Sequence, residues 1–177
     1  MGKTNGLSIN RTTELGAGGE WTRLALAGPV NEDAKSVLMP LVDTAGPRCI
    51  LDLGEVTYLN SVGIRDWSLF LKSFKTAPGG GGGAPKPREI VFDRCTDEVV
   101  RTMNMVTNFH YRLPVRSLFR AYGCEHCGHE QTVLLREGVD YQVGQMPDTP
   151  AQHCAQCAKI SEPFVLDEEF FQFLVGT

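Results

Sequence analysis

Four cysteines are the residues of this chain best placed to do chemistry. They form two pairs, Cys124-X-X-Cys127 and Cys154-X-X-Cys157, with 26 residues between the pairs. Two thiolates three positions apart fit one tight turn, and two such turns can surround a single tetrahedral ion, so the spacing points to Zn2+ rather than to disulfides. Four protein ligands leave no open coordination position, which makes the expected site structural and lets it staple hairpins too small to fold by burial alone. The alternatives are four unconnected thiols or a redox-active Cys-X-X-Cys. His126, His129 and His153 lie close by and are read as solvent-exposed, or as substitutes for or hydrogen-bond donors to the ligands. Cys49 and Cys95, single residues among apolar neighbours, read as small buried hydrophobes.

The second group is the hydroxyl of Ser61, in Asn60-Ser61-Val62-Gly63-Ile64. It stands between an apolar run and a helical pattern in which Ile64, Trp67, Leu71 and Phe74 recur at spacings of 3, 4 and 3. Asn and Ser both accept hydrogen bonds from the first turn of a helix, so the plain reading of Ser61 is an N-cap worth about 1 kcal/mol. The other reading is a phosphorylation site, since the positive end of a helix tolerates the added negative charge. Asp52, Asp66 and Glu55 have no histidine or second nucleophile in the same motif. The glycine run of Thr76–Pro87 lacks the Lys-Ser/Thr of a phosphate-binding loop. No nucleophile, base and oxyanion site assemble, and the chain is not read as an enzyme.

The elements that must position these groups follow in order. Leu7–Leu15 and Trp21–Ala27 alternate as two strands of a hairpin, the second ended by Gly28-Pro29. Asn31 caps a helix over Glu32–Thr44, with Pro40 as an internal irregularity. Cys49–Leu53 is a buried strand, Gly54-Glu55 a turn, and Val62 to about Lys75 the helix behind Ser61. Thr76–Pro87 is an expanded loop, Glu89–Phe92 a strand, and Thr96 the start of a helix. Val115–Ala121 is a strand running directly into Cys124, and Asp167 caps a last helix over Glu168–Val175, with Phe171 turned away from Phe170, Phe173 and Leu174. Ala158 stands after the second cysteine pair, where glycine would be usual.

Strand, loop, Asn-Ser-X-Gly-Ile and helix together resemble the STAS domain, the fold of bacterial anti-sigma-factor antagonists. In that family an Asp-Ser-X-Gly-Leu motif begins the second helix, and its serine is phosphorylated by a partner anti-sigma kinase. Ser61 matches that serine by position, Gly63 matches the glycine, and Asn60 stands where the family has Asp. The resemblance covers Leu7 to about Tyr122. It implies an α/β fold with a STAS-like mixed sheet packed by helices over residues 1–115, while the cysteine spacing, similar to that of a zinc ribbon, puts such a small module with a short C-terminal helix over 116–177. It also implies a protein partner, either a kinase-like anti-sigma factor or another signalling protein.

Charge and hydropathy narrow the classes further. The net charge is −4, and from Arg116 onward four basic residues face nine acidic ones. That acidic balance disfavours nucleic acid, whose affinity comes from Lys and Arg neutralising phosphates. A transcription or nucleic-acid adaptor using the ribbon, and an unmodified subunit of a larger signalling assembly, remain as competing readings. No run approaches the length of a membrane span, and MGKTNGLSIN lacks an apolar signal region, so a cytoplasmic protein is expected.

Overall fold

The computed structural model describes residues 6–16, 18–77, 87–149 and 151–175. Among the described residues are two four-stranded sheets, of order β1-β2-β3-β4 and β6-β5-β8-β7. In the first, β1 (Ser8–Gly16) pairs antiparallel with β2 (Gly19–Val30), β2 pairs parallel with β3 (Arg48–Leu59), and β3 pairs parallel with β4 (Glu89–Asp93). Between the parallel strands run α1 (Ala34–Leu38) with α2 (Leu41–Thr44), and α3 (Ser61–Thr76). Then α4 (Asp97–Met105) leads to β5 (Ser117–Gly123), and parallel bridges Phe92–Val115 and Cys95–Leu118 carry the sheet on past β4. Each crossover therefore steps one strand in the same direction. Right-handed connections put all the helices on one face.

The side chains agree with that assignment. Leu24, Leu26, Leu51, Phe92 and Leu118 meet Trp67, Phe70, Leu71 and Phe74 of α3 and Val99, Val100 and Met103 of α4 in one core cluster. Trp67 stacks on Phe109 at 5.7 Å and meets Phe92 edge-on at 5.9 Å. The opposite face carries a charge network beside the buried Trp21 and Ile50. There Arg23 donates to Glu14 (2.8 Å), Asp52 (2.7 Å) and Asp93 (2.8 Å), one acid from each of β1, β3 and β4, and Ser117 donates to Asp93 at 2.6 Å. Arg23 thus ties the four strands of the first sheet together on the face away from the helices.

Several boundaries differ from the sequence reading. Gly54-Glu55 does not turn: β3 continues to Leu59 with register shifts opposite β2, and Asp52 Oδ1 takes the Gly54 N–H at 3.1 Å, so a bulge absorbs the glycine. β2 likewise runs on through Gly28-Pro29 to Val30, its proline lying at a register shift where a missing donor is tolerated. Pro40 divides the expected first helix in two, because its ring cannot continue the hydrogen-bond ladder. Asn31 does not cap it; its side chain instead accepts from Asp33 N at 3.1 Å. Residues 78–86 of the glycine loop lie outside the described residues.

The second sheet is two hairpins side by side. β5 and β6 (Glu130–Arg136) form one, and β7 (Gln152–His153) and β8 (Ile160–Pro163) the other, joined through Tyr122–Pro163. The chain ends in α5 (Asp167–Phe170) and α6 (Gln172–Val175). Asp167 begins α5 but does not cap it; Leu166 is the N-cap residue, and the Asp167 carboxylate binds Arg120 and Thr149 instead. Phe171 is fully buried, not turned outward, and packs with Phe170 and Tyr141. Asn104 of α4 donates to Glu169 and Phe170 carbonyls and accepts from Phe173 N–H, which docks the C-terminal helices on α4. One core therefore passes through both sheets.

Candidate metal centre and the Asn60–Gly63 helix start

The turns at the tips of the two hairpins are built alike. Gly128 N–H donates to Cys124 O at 2.8 Å and Cys124 N–H to His129 O at 2.9 Å; Ala158 N–H donates to Cys154 O at 2.9 Å and Cys154 N–H to Lys159 O at 2.7 Å. Both turns need a left-handed residue after the second cysteine, supplied by Gly128 at φ 71° and by Ala158 at φ 58°. The alanine accepts a conformation that glycine adopts without strain. Gln131 holds the tips together, donating to His153 O and accepting from Ala155 N–H. Nothing in the sequence singled out that residue, because its partners lie more than twenty positions away.

The four sulfurs of Cys124, Cys127, Cys154 and Cys157 lie within 4.8 Å of one another, and the group can hold a metal ion. The crossed pairs Cys124–Cys157 and Cys127–Cys154 are each 3.6 Å apart, too long for a disulfide. Backbone N–H groups of Cys127 and His126 favour the Cys124 thiolate and lower its pKa. Burial works against the Cys154 thiolate, but the N–H groups of Cys157 and Gln156 and the thiols of Cys127 and Cys157 bring it down to about 6. Cys127 has the His129 N–H in its favour, yet desolvation and the neighbouring sulfurs push it up to about 12. Cys157, despite the Lys159 N–H, is also raised by desolvation and by Cys124 and Cys154. Four sulfurs this close do not all ionise without a cation among them. His126 and His153 are exposed and His129 half-buried; all three stand outside the sulfur cluster, and His153 Nδ1 meets Ala158 O at 3.2 Å. Cys49 and Cys95 are fully buried in the first sheet.

At the other site the cap is Asn60, whose Oδ1 accepts from Gly63 N–H at 2.8 Å while Nδ2 donates to Glu32 at 2.8 Å. Ser61 is the first helical residue. Its hydroxyl is exposed and has no hydrogen-bond partner among the described residues. Gly63 is there because the helix start presses on the end of β2: a Cβ would fall 1.9 Å from Val30 O. Tyr58 at the end of β3 and Val62 and Leu69 of α3 are exposed apolar residues, and Arg65 lies one turn beyond Ser61. Asp52 is paired with Arg23 and Arg94, Asp66 with Arg65, and neither faces a histidine.

Among the described residues no helix is long and apolar enough to cross a membrane. Comparison with family models and with characterised proteins returns no match for this chain.

Proposed function

We propose that this chain is a non-enzymatic regulatory module that binds a protein partner in the manner of a STAS-type anti-sigma-factor antagonist, switched by phosphorylation of Ser61. The carrying observation is the exposed, unpartnered Ser61 hydroxyl at the start of α3, with capping done by its neighbour Asn60. A phosphate there would not compete with the cap. Arg65, four residues on, has the helical spacing to pair with the new charge, and Tyr58, Val62 and Leu69 supply apolar contact for a partner docking over α3. An antiparallel hairpin followed by parallel strands with helices on one face supports the STAS-like reading of the fold.

The metal is Zn2+. A tetrahedron with arms of about 2.3 Å has edges of about 3.8 Å, close to the 3.6 Å of the crossed sulfur pairs. With four thiolates bound to it, the ion joins two hairpins as a zinc ribbon and has no position left for a substrate. Reduced thiols and a thiolate-bound metal suit a cytoplasmic setting. Nucleic-acid binding through the ribbon is the weaker reading, because Glu125, Glu130 and Glu162 line the cleft beside Cys124 and would repel phosphates.

The test uses Ser61 variants and the partner protein retrieved with the wild-type chain. Ser61→Asp keeps the melting temperature and weakens the complex tenfold or more, about 1.4 kcal/mol, while Ser61→Ala binds as the wild type does. Equal affinity for all three proteins overturns the switch. It would leave Ser61 as an ordinary first-turn residue.

A further inference from the structure

Among the described residues the first sheet has one free edge. Past β4 it is continued by residues 115–118, whereas β1 pairs only with β2 and its outward backbone groups meet no strand. Proteins guard such edges with proline, charged side chains, lysine above all, a bulge or a covering element. Of the two charges on β1, Glu14 is held by Arg23 and Arg116, which leaves Arg11. β1 has neither proline nor lysine, and it pairs with β2 in unbroken register over nine residues. Seven of those nine are exposed, and Leu15 shows 89% of its surface.

We propose that β1 pairs antiparallel with β1 of a second copy of this chain. A two-fold axis normal to the sheet keeps each side chain on its own face, so only residues an even number of positions apart can be opposed. Of the registers allowed, the one centred on Thr12 engages all nine residues. It sets Ile9 against Leu15 of the other copy, twice by symmetry, which covers the most exposed large apolar side chain among the described residues. Asn10 then faces Glu14, and Arg11 faces Thr13. Centring on Arg11 would oppose two arginines, and centring on Thr13 would put Arg11 against Leu15 and shorten the ladder. The pairing makes a continuous eight-stranded sheet from the two four-stranded ones, with the helices of both copies on one side. Both α3 helices then face the same way, so a two-headed partner can engage the pair at once. This inference is independent of any role for Ser61.

The interface is small, so association belongs to the weak class and is read by sedimentation of the full, metal-loaded chain from about 1 to about 300 µM. The average mass rises from monomer towards dimer across that range. Thr12 sits on the axis and meets its own copy. Thr12→Lys and Thr12→Glu, each folded by melting temperature, therefore lose association tenfold or more when alone, by like-charge opposition. An equimolar mixture of the two regains it. A chain that stays monomeric throughout, a Thr12→Lys protein that associates like the wild type, or a mixture that stays apart overturns the proposal. Leu15→Ser, at a side chain too exposed to matter to the monomer, weakens association as well; unchanged association in that variant counts against the register.

Discussion

Single residues carry the two sites, and they were unequally visible in the sequence. The cysteine pairs were legible because ligand spacing is local: each pair sits on one turn, and the left-handed position after it was marked by Gly128 and by the conspicuous Ala158. Ser61 was visible as a residue but not in its role. Asn and Ser are nearly equivalent caps, and only the backbone, with Asn60 extended at φ −101° and ψ 171°, decides that Asn60 takes the Gly63 N–H. The buried arginines were not legible at all. Arg88, for example, donates to the carbonyls of Gly46, Phe74, Val42 and Ala45, none of them near it in the chain. At this scale the prediction concerns metal. Cys154→Ser removes one of four thiolates and lets the hairpin tips separate, so elemental analysis of carefully reduced protein falls from about one zinc per chain to well below it. Cys49→Ser leaves the metal content alone, because Cys49 is buried in the other sheet with its thiol bonded to Gly46 O. Full zinc content in Cys154→Ser contradicts the four-thiolate site.

The elements were read well where periodicity is local and poorly where a long-range partner decides. The β1–β2 hairpin, α3 and α4 follow from alternation and helical spacing. β3 was cut short at Gly54 because a glycine beside an acid looks like a turn, and only the opposing strand shows it to be a bulge. Asp167 looked like a cap for the same local reason. In the folded chain it is the counterion of Arg120, which is 1% exposed, donates also to Thr149 and Val165 O, and lies over the rings of Phe170 and Phe171. Burial raises the Asp167 pKa, but the Thr149 hydrogen bonds and the Arg120 charge outweigh it and hold the carboxyl below its usual value. A depressed carboxylate contributes stability above the unfolded-state pKa of about 4 and loses it as pH falls through the folded value. Asp167→Asn should therefore cost about 3 kcal/mol at pH 7 by leaving a buried guanidinium unpaired. In urea unfolding the gap between variant and wild type narrows as the pH is taken below about 4. A gap that stays constant with pH removes Asp167 from this role.

The molecule as a whole is an α/β sheet with helices on one face and a cysteine-tipped pair of hairpins on its end, sharing one core. The α/β class was legible, and so was the alternation of strands and helices along the first part of the chain. The continuity was not, since it rests on Asn104, Tyr141 and Phe171, whose partners come from both parts of the chain. That continuity joins the cysteine-tipped end to the sheet that carries α3 through one core. The most direct measurement is the intact mass of the protein isolated from its own cells, with the site mapped by fragmentation. The account predicts a fraction carrying one phosphate, on Ser61, that is absent from the partner-bound pool and lost in Ser61→Ala. An unmodified Ser61 in every growth state, or a phosphorylated Ser61 as abundant in the complex as outside it, contradicts it.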